Sequence, residues 1–240
     1  MQKFTKQQHQ KFINYFNIKE NPSEIELDFF KKTNFYLKFI KWIPWLRMVW
    51  VWNSLSMYST TEKSDIDLFI VTTKDSMWIN RILITFIFQI LWVRKTSKKH
   101  SWKFCLSFFC TIDWLDFKSW KLENDIYLYF WIIYFKPILD YNNTYSLFLE
   151  KNSSWADFTL YNDTFSKNKS FIKYKKNYKK NIFTLIIVIW GFNNILKTIF
   201  LQKTLKSYKN INKPYWIIIS NNLLKFHNDD IRKNIIKELI

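Results

Sequence analysis

The chain holds thirteen tryptophans and a single glycine, Gly191, in 240 residues. Average glycine usage of about 7% would give roughly 17 glycines in a chain of this length. Glycine reaches positive φ without strain, and tight turns and helix ends often depend on it. A folded chain of this composition must therefore use other residues at such places, or carry glycine where tryptophan is written.

Two explanations compete for this imbalance. An AT-rich gene accounts for scarce glycine, because the chain also has one alanine and only four arginines among its 37 lysines and arginines. It does not account for surplus tryptophan. A gene in which UGA encodes glycine, translated with UGA as tryptophan, accounts for both. The alternative to recoding is that all thirteen tryptophans are genuine aromatic residues.

The positions of the tryptophans favour two populations. Trp92 follows an apolar helical pattern and precedes a basic run, which is where a left-handed C′ residue, usually glycine, ends a helix. Trp102 and Trp120 lie in polar loops, and Trp45 and Trp216 follow prolines, where turns often require positive φ. These five positions are predicted to be glycine.

Charge and hydropathy limit the class of protein. A net charge of +18 and a pI near 9.7 are typical of proteins that bind RNA or another polyanion, although an AT-rich gene supplies lysine by default. The polar N-terminus and short apolar runs predict no signal peptide and no transmembrane segment. We expect a cytoplasmic protein whose oligomeric state the sequence leaves open; a basic membrane-surface protein is a weaker alternative.

Periodicity predicts an α+β fold, a mixed β-sheet flanked by helices with helical N- and C-terminal extensions. Residues 1–42 form the N-terminal extension, 43–142 the core and 143–240 a mainly helical C-terminal region. Within the core, strands are predicted at Leu46–Trp52, Ile66–Thr72 and Lys103–Ile112, with helices at Trp78–Leu91 and Ile126–Leu139.

The sharpest chemical signal is Ser64-Asp65-Ile66-Asp67 at the start of a predicted strand. Asp65 and Asp67 are two residues apart, so their carboxylates share one face of the strand. Paired carboxylates together with substrate phosphates are what Mg²⁺ prefers as ligands. Ser54, at the end of the preceding strand, offers a hydroxyl and an N–H group to those phosphates. In isolation, Asp-Ile-Asp is more often a solvated strand end.

Here the chain resembles the DNA polymerase β-like nucleotidyltransferase superfamily, whose signature is a Gly-Ser turn, a spacer of about ten residues and Asp-hydrophobic-Asp. The resemblance implies that Asp65 and Asp67 are catalytic and bind Mg²⁺ or Mn²⁺, and that Asn53 and Ser54 bind the NTP. Asn53 replaces the usual glycine, and asparagine tolerates the left-handed conformation. Asp113 is the candidate for the family's third catalytic carboxylate, since the strand before it offers only Ser107 at its middle.

A narrower resemblance extends the recoding hypothesis. Segments around Asn53–Thr72, Phe104–Phe109 and Glu123–Tyr129 are similar to a group of such bacterial proteins, some of which read UGA as glycine. In that comparison Trp50 and Trp52 are also glycines. An indole at either position would hinder the close approach of a triphosphate to the backbone.

The sequence thus predicts a Mg²⁺-dependent nucleotidyltransferase that moves a nucleoside monophosphate from an NTP to a hydroxyl of an unidentified acceptor. The alternative is a catalytically degenerate nucleotide- or RNA-binding module on the same fold. It is motivated by the lack of a carboxylate in the middle of the third strand.

Overall fold

The computed structural model describes residues 4–96, 98–161, 170–177, 193–202, 204–206, 217–226 and 230–240. The described part is a mixed seven-stranded sheet with helices on both faces, in the order β5-β4-β1-β2-β3-β7-β6. The strands are β1 Leu46–Val51, β2 Ile66–Thr72, β3 Phe104–Thr111, β4 Lys136–Tyr141, β5 Tyr174–Lys176, β6 Ile218–Ile219 and β7 Leu223–Lys225.

The central strand β2 is buried along its whole length, because β1 and β3 pair with its two edges and helices cover both faces of the sheet. It runs antiparallel to β1 and parallel to β3. Strand β1 also pairs antiparallel with β4, and β7 pairs antiparallel with β3. Three short strands from residues 143–240, β5, β6 and β7, join the same sheet.

Seven helices with defined ends accompany the sheet in the described residues. They are α1 Lys6–Phe16, α2 Glu24–Leu37, α3 Asn53–Ser56, α4 Met77–Ile90, α5 Ile126–Ile133, α6 Thr144–Asn152 and the C-terminal helix Arg232–Leu239. Residues 193–202 and 204–206 are also helical. No helix in the part of the chain described here is long and apolar enough to cross a membrane.

The two faces of the sheet carry separate cores. On one face, Trp50 and Phe69 pack with α1, α5, α6 and the C-terminal helix. On the other, Val51 and Leu68 pack with α2 and α4. The two N-terminal helices therefore lie on opposite faces of the sheet, each within a core that includes residues of the central strands.

One predicted element is wrong. The helix expected over Ile126–Leu139 ends at Ile133, and the chain continues as strand β4 from Lys136. The prediction failed because a continuous apolar run carries no period that separates a buried strand from a buried helix. Pro137 lies inside β4, opposite Trp50, where the β1–β4 register shifts.

Candidate functional site

Asp65 and Asp67 lie together at the N-terminal end of β2. Asp67 is 7% exposed and shares its face of the sheet with Phe69, while Asp65 directly precedes the strand. The parallel register places Cys105 of β3 opposite Asp67. One ligand atom from each of Asp65, Asp67 and Cys105 lies within 4.8 Å of the others. The structure thus brings both predicted carboxylates together and adds a thiol that the sequence analysis did not identify.

The turn after β1 is tied to this cluster through Asn53. The Asn53 side chain donates from Nδ2 to Asp67 Oδ2 at 2.9 Å and accepts at Oδ1 from Trp131 Nε1 at 2.9 Å. Its φ of 56° lies in the left-handed region, which asparagine tolerates. The backbone N–H of Trp52 also donates to the carbonyl of Asp67, at 3.3 Å. The predicted phosphate-binding turn and the predicted metal ligands are therefore adjacent.

Ser54 follows Asn53 in the first turn of α3 and is partly buried. Its carbonyl accepts from the backbone N–H of Ser59 at 2.9 Å, which closes the loop behind it. Ser54 is therefore one residue from the side chain that contacts Asp67, at the end of β1 beside the start of β2.

A lysine neutralises part of the carboxylate charge. Lys95 Nζ lies 2.5 Å from Asp65 Oδ2, and the two side chains are 41% and 20% exposed. Burial raises the pKa of Asp65, as does the neighbouring charge of Asp67, whereas Lys95 lowers it. Burial would lower the pKa of Lys95, but its bond to Asp65 and the nearby negative groups raise it. The Lys95 ammonium group therefore offsets part of the repulsion between the two adjacent carboxylates.

The third member of the cluster is a poor ligand for a hard cation. Burial, and after it the charge of Asp67, raises the pKa of the Cys105 thiol, so this thiol is protonated at neutral pH. Its Sγ lies 3.1 Å from Ser107 Oγ. Mg²⁺ takes oxygen ligands, and a neutral thiol is not one of them. The residues fit Mg²⁺ or Mn²⁺ through the two carboxylates, with the remaining ligand positions left for phosphate oxygens and water.

The structure does not bring Asp113 to this cluster. Cys105 lies opposite Asp67 near the start of β3, whereas Asp113 follows the end of that strand and is exposed. The six steps along β3 from Cys105 to Thr111 alone span about 20 Å, at about 3.3 Å per residue. Among the described residues, the third potential ligand beside the two aspartates is the Cys105 thiol.

Two of the seven tryptophans predicted to be glycine have left-handed backbones, Trp92 with φ 56° and Trp102 with φ 60°. After α4, the N–H of Trp92 donates to the carbonyl of Gln89 and that of Val93 donates to Phe88, both at 3.1 Å. This is the Schellman pattern, in which glycine is the usual C′ residue.

The other predicted glycine positions have no such signature. Positive φ is found at none of Trp45, Trp50, Trp52 and Trp120, and Trp216 lies outside the described residues. Trp50 is fully buried, and its ring centroid is 4.6 Å from that of Phe135. Trp52, beside Asn53, packs its ring 4.7 Å from that of Trp131. Both indoles belong to the core on the Asp67 face.

Comparison of the chain with models of protein families, with curated proteins and with solved structures finds no match.

Proposed function

We propose that the chain is a nucleotidyltransferase, dependent on Mg²⁺ or Mn²⁺, that transfers a nucleoside monophosphate from an NTP to an acceptor hydroxyl. The observation that carries this proposal is the convergence of Asp65 and Asp67 beside the Asn53 turn, with Asn53 Nδ2 2.9 Å from Asp67. Two carboxylates next to a polar turn can hold a divalent cation together with the phosphates of a nucleotide.

Each residue has a separate role in this proposal. Asp65 and Asp67 would hold the divalent cation, which supplies positive charge to the triphosphate when it is bound. Asn53 orients the Asp67 carboxylate through its side-chain amide. Ser54, with its hydroxyl and backbone N–H, binds phosphate oxygens at the same turn. These contacts position the nucleotide, which is the protein's main contribution in phosphoryl transfer.

A second candidate is a nucleotide- or RNA-binding module without transfer activity. It is favoured by the third member of the cluster, Cys105, which offers a thiol beside the aspartates and not a further carboxylate. Without a carboxylate to accept the proton of the attacking hydroxyl, binding could persist while chemistry is lost. Both candidates agree with a cytoplasmic location, as do the two free thiols of Cys105 and Cys110.

Transfer from labelled NTPs to cellular RNA tests the proposal. The purified full-length chain is incubated with each α-labelled NTP and Mg²⁺ or Mn²⁺, alongside Asp65→Asn and Asp67→Asn. Glu62→Gln, an exposed carboxylate on the preceding loop, is the matched control. We expect transfer by the native and control chains and at least a hundredfold loss in both aspartate variants.

The outcomes separate the two candidates. Nucleotide binding that depends on Asp67, without transfer in either metal, would establish the binding module instead. Transfer that survives both aspartate substitutions would show that the chemistry occurs elsewhere. Circular dichroism of each variant establishes that any loss is not a loss of fold.

A further inference from the structure

A groove of about 560 Å³ lies between α4 and the helical residues 193–202 and 204–206. Its α4 wall includes Arg81, Thr85, Phe86 and Gln89, and Phe200 lies on the opposite wall. Arg81 and Gln89 are eight residues apart on α4, so this wall is about 12 Å long. The groove is distinct from the aspartate cluster and has no part in the nucleotide site described above.

The second wall is anchored to α4 by a side chain far away in sequence. Asn193 Oδ1 accepts from the backbone N–H groups of Trp78 at 3.1 Å and Ile79 at 3.2 Å. These N–H groups belong to the first turn of α4, where the helix itself provides no acceptors. Asn193 is 5% exposed, so its bonds are shielded from water. A buried cap therefore ties the helical segment that begins at Asn193 to the N-terminal end of α4.

The positive charge of the groove comes from arginine side chains. The chain has only four arginines, and two of them, Arg81 and Arg94, line this groove. Arg47 donates to Thr144, and Arg232 bonds with Asp125 and Asp230. In the groove, the Arg81 guanidinium lies 4.0 Å from the centroid of the Phe226 ring, and Arg94 donates to Gln89. No aspartate or glutamate is among the described residues that line the groove. Because guanidinium groups bind phosphates in a bidentate manner, two in one acid-free groove favour a phosphate-bearing ligand.

The groove also offers aromatic rings. Phe86 is 60% exposed on the α4 wall, and Phe200 is partly buried across from it. Exposed aromatic rings beside arginines are the combination by which proteins hold single-stranded nucleic acid, since bases stack on rings and phosphates pair with cations. An acidic peptide would use the arginines without needing these rings.

Arg94 lies at one end of the groove, where its Nη1 donates to Gln89 Oε1 at 3.3 Å near the C-terminal end of α4. The groove lies on the α4 side of the sheet, whereas Asp67 lies on the opposite face with Phe69. A ligand in the groove is therefore separated from the aspartates by the sheet.

From this arrangement we infer that the groove binds a single-stranded polynucleotide at a site separate from the Asp65–Asp67 cluster. The inference stands on the groove itself and does not depend on the proposed function. Arg81 and Arg94 pair with phosphates, and Phe86 stacks on a base.

Binding of a fluorescein-labelled oligoadenylate RNA to the full-length chain, followed by anisotropy, tests the inference. Arg94→Gln and Phe86→Ala are each expected to weaken binding by about tenfold. Arg94→Gln is also expected to reduce the slope of log affinity against log salt by about one. The matched controls are Lys38→Gln and Phe35→Ala, which remove an exposed cation and an exposed ring near the end of α2. We expect the controls to change affinity less than twofold.

Three results would overturn the inference. The first is that the groove variants bind RNA as tightly as the control variants do. The second is that a polyglutamate peptide binds with the same dependence on Phe86. The third is that anionic vesicles bind with the same dependence on Phe86. Because Asp65→Asn lies outside the groove, it is expected to retain RNA binding while losing transfer. RNA binding through the groove without any transfer would leave this inference intact and contradict the proposed function alone.

Discussion

Lys95 Nζ and Asp65 Oδ2 are 2.5 Å apart, so an ammonium group of the chain itself contacts the carboxylate pair that we assign to a divalent cation. The carboxylate of Asp67 also acts on this ammonium, which places Lys95 close to both aspartates. Since two cations cannot share one carboxylate oxygen without repulsion, a metal ion that binds Asp65 through Oδ2 must displace Lys95.

Removal of this ammonium is expected to tighten metal binding. In Lys95→Met the aspartates lose their internal partner, so the affinity for Mn²⁺ in the absence of nucleotide should rise by about tenfold, the equivalent of one charge-assisted hydrogen bond. Isothermal titration with Mn²⁺ measures this directly. Lys98→Met, an exposed lysine of the same loop, controls for the change in net charge. Equal affinities in the native and Lys95→Met proteins would contradict the displacement.

Asn53 combines an unusual backbone with two side-chain bonds, and substitution separates the two contributions. Asn53→Gly keeps the φ of 56° without strain but loses the bonds to Asp67 and Trp131, which contribute about 1 kcal/mol each. Asn53→Ala loses the same bonds and adds a Cβ in the left-handed region, at a further cost of about 1 kcal/mol. We expect urea denaturation to rank stability as native, then glycine, then alanine. An alanine variant as stable as the glycine variant would argue against the left-handed turn.

The parts of the site that depend on the alternation of apolar and polar residues over a short stretch are predictable from the sequence. Strand β2 has the predicted bounds, Ile66–Thr72, and a period of two places Asp65 and Asp67 on one face. The turn at Asn53 was predicted for the same reason, because a strand, a polar break and a second strand are all local patterns.

The remainder depends on contacts between distant segments. Cys105 lies opposite Asp67 because β2 and β3 pair in parallel with one particular register, which no local pattern determines. Lys95 belongs to a basic loop that would ordinarily be solvated, and only the fold directs it to Asp65. Asn193 caps α4 from 115 residues away in the chain, beyond the reach of any capping rule based on neighbouring residues.

The buried side chain of Lys136 is expected to make the free energy of unfolding depend on pH. It is 2% exposed in β4, donates to the carbonyl of Ser56 and has its Nζ 4.1 Å from the centroid of the Tyr58 ring. Burial lowers its pKa to about 7, against about 10.4 in an unfolded chain. Between these values the unfolded state binds more protons, so the free energy of unfolding rises with pH, by up to about 1.4 kcal/mol per unit.

This rise in the free energy of unfolding is complete above the pKa that Lys136 has in the unfolded chain, and it is lost as the pH falls toward 7. Lys225 acts in the same direction, since burial and then the charge of Arg232 lower its pKa to about 6. Lys136→Met should therefore remove about half of the rise measured by urea denaturation at pH 7, 8 and 9, whereas the exposed Lys38→Met should leave it unchanged. A slope in Lys136→Met equal to the native slope would contradict a buried, neutral lysine.

Trp92 and Trp50 give opposite expectations for substitution by glycine. Trp92 is 79% exposed with a φ of 56°, so Trp92→Gly loses little packing and relieves backbone strain, raising the free energy of unfolding by about 1 kcal/mol. Trp50 is fully buried against Phe69 and Phe135, so on this structure Trp50→Gly lowers it by about 3–5 kcal/mol. Trp42→Gly, exposed and without positive φ, is the control.

The same two positions bear on recoding. If UGA encodes glycine in the native organism, the codon at position 92 is UGA and peptide mass spectrometry finds glycine there. A UGG codon at that position would refute recoding at the residue where the backbone favours it most. A native glycine at position 50 would mean that the core around Phe69 and Phe135 closes without an indole, and Trp50→Gly would then stabilise the chain. The sign of the change in the free energy of unfolding that Trp50→Gly causes therefore decides whether Trp50 is a core residue or a misread glycine beside the turn at Asn53.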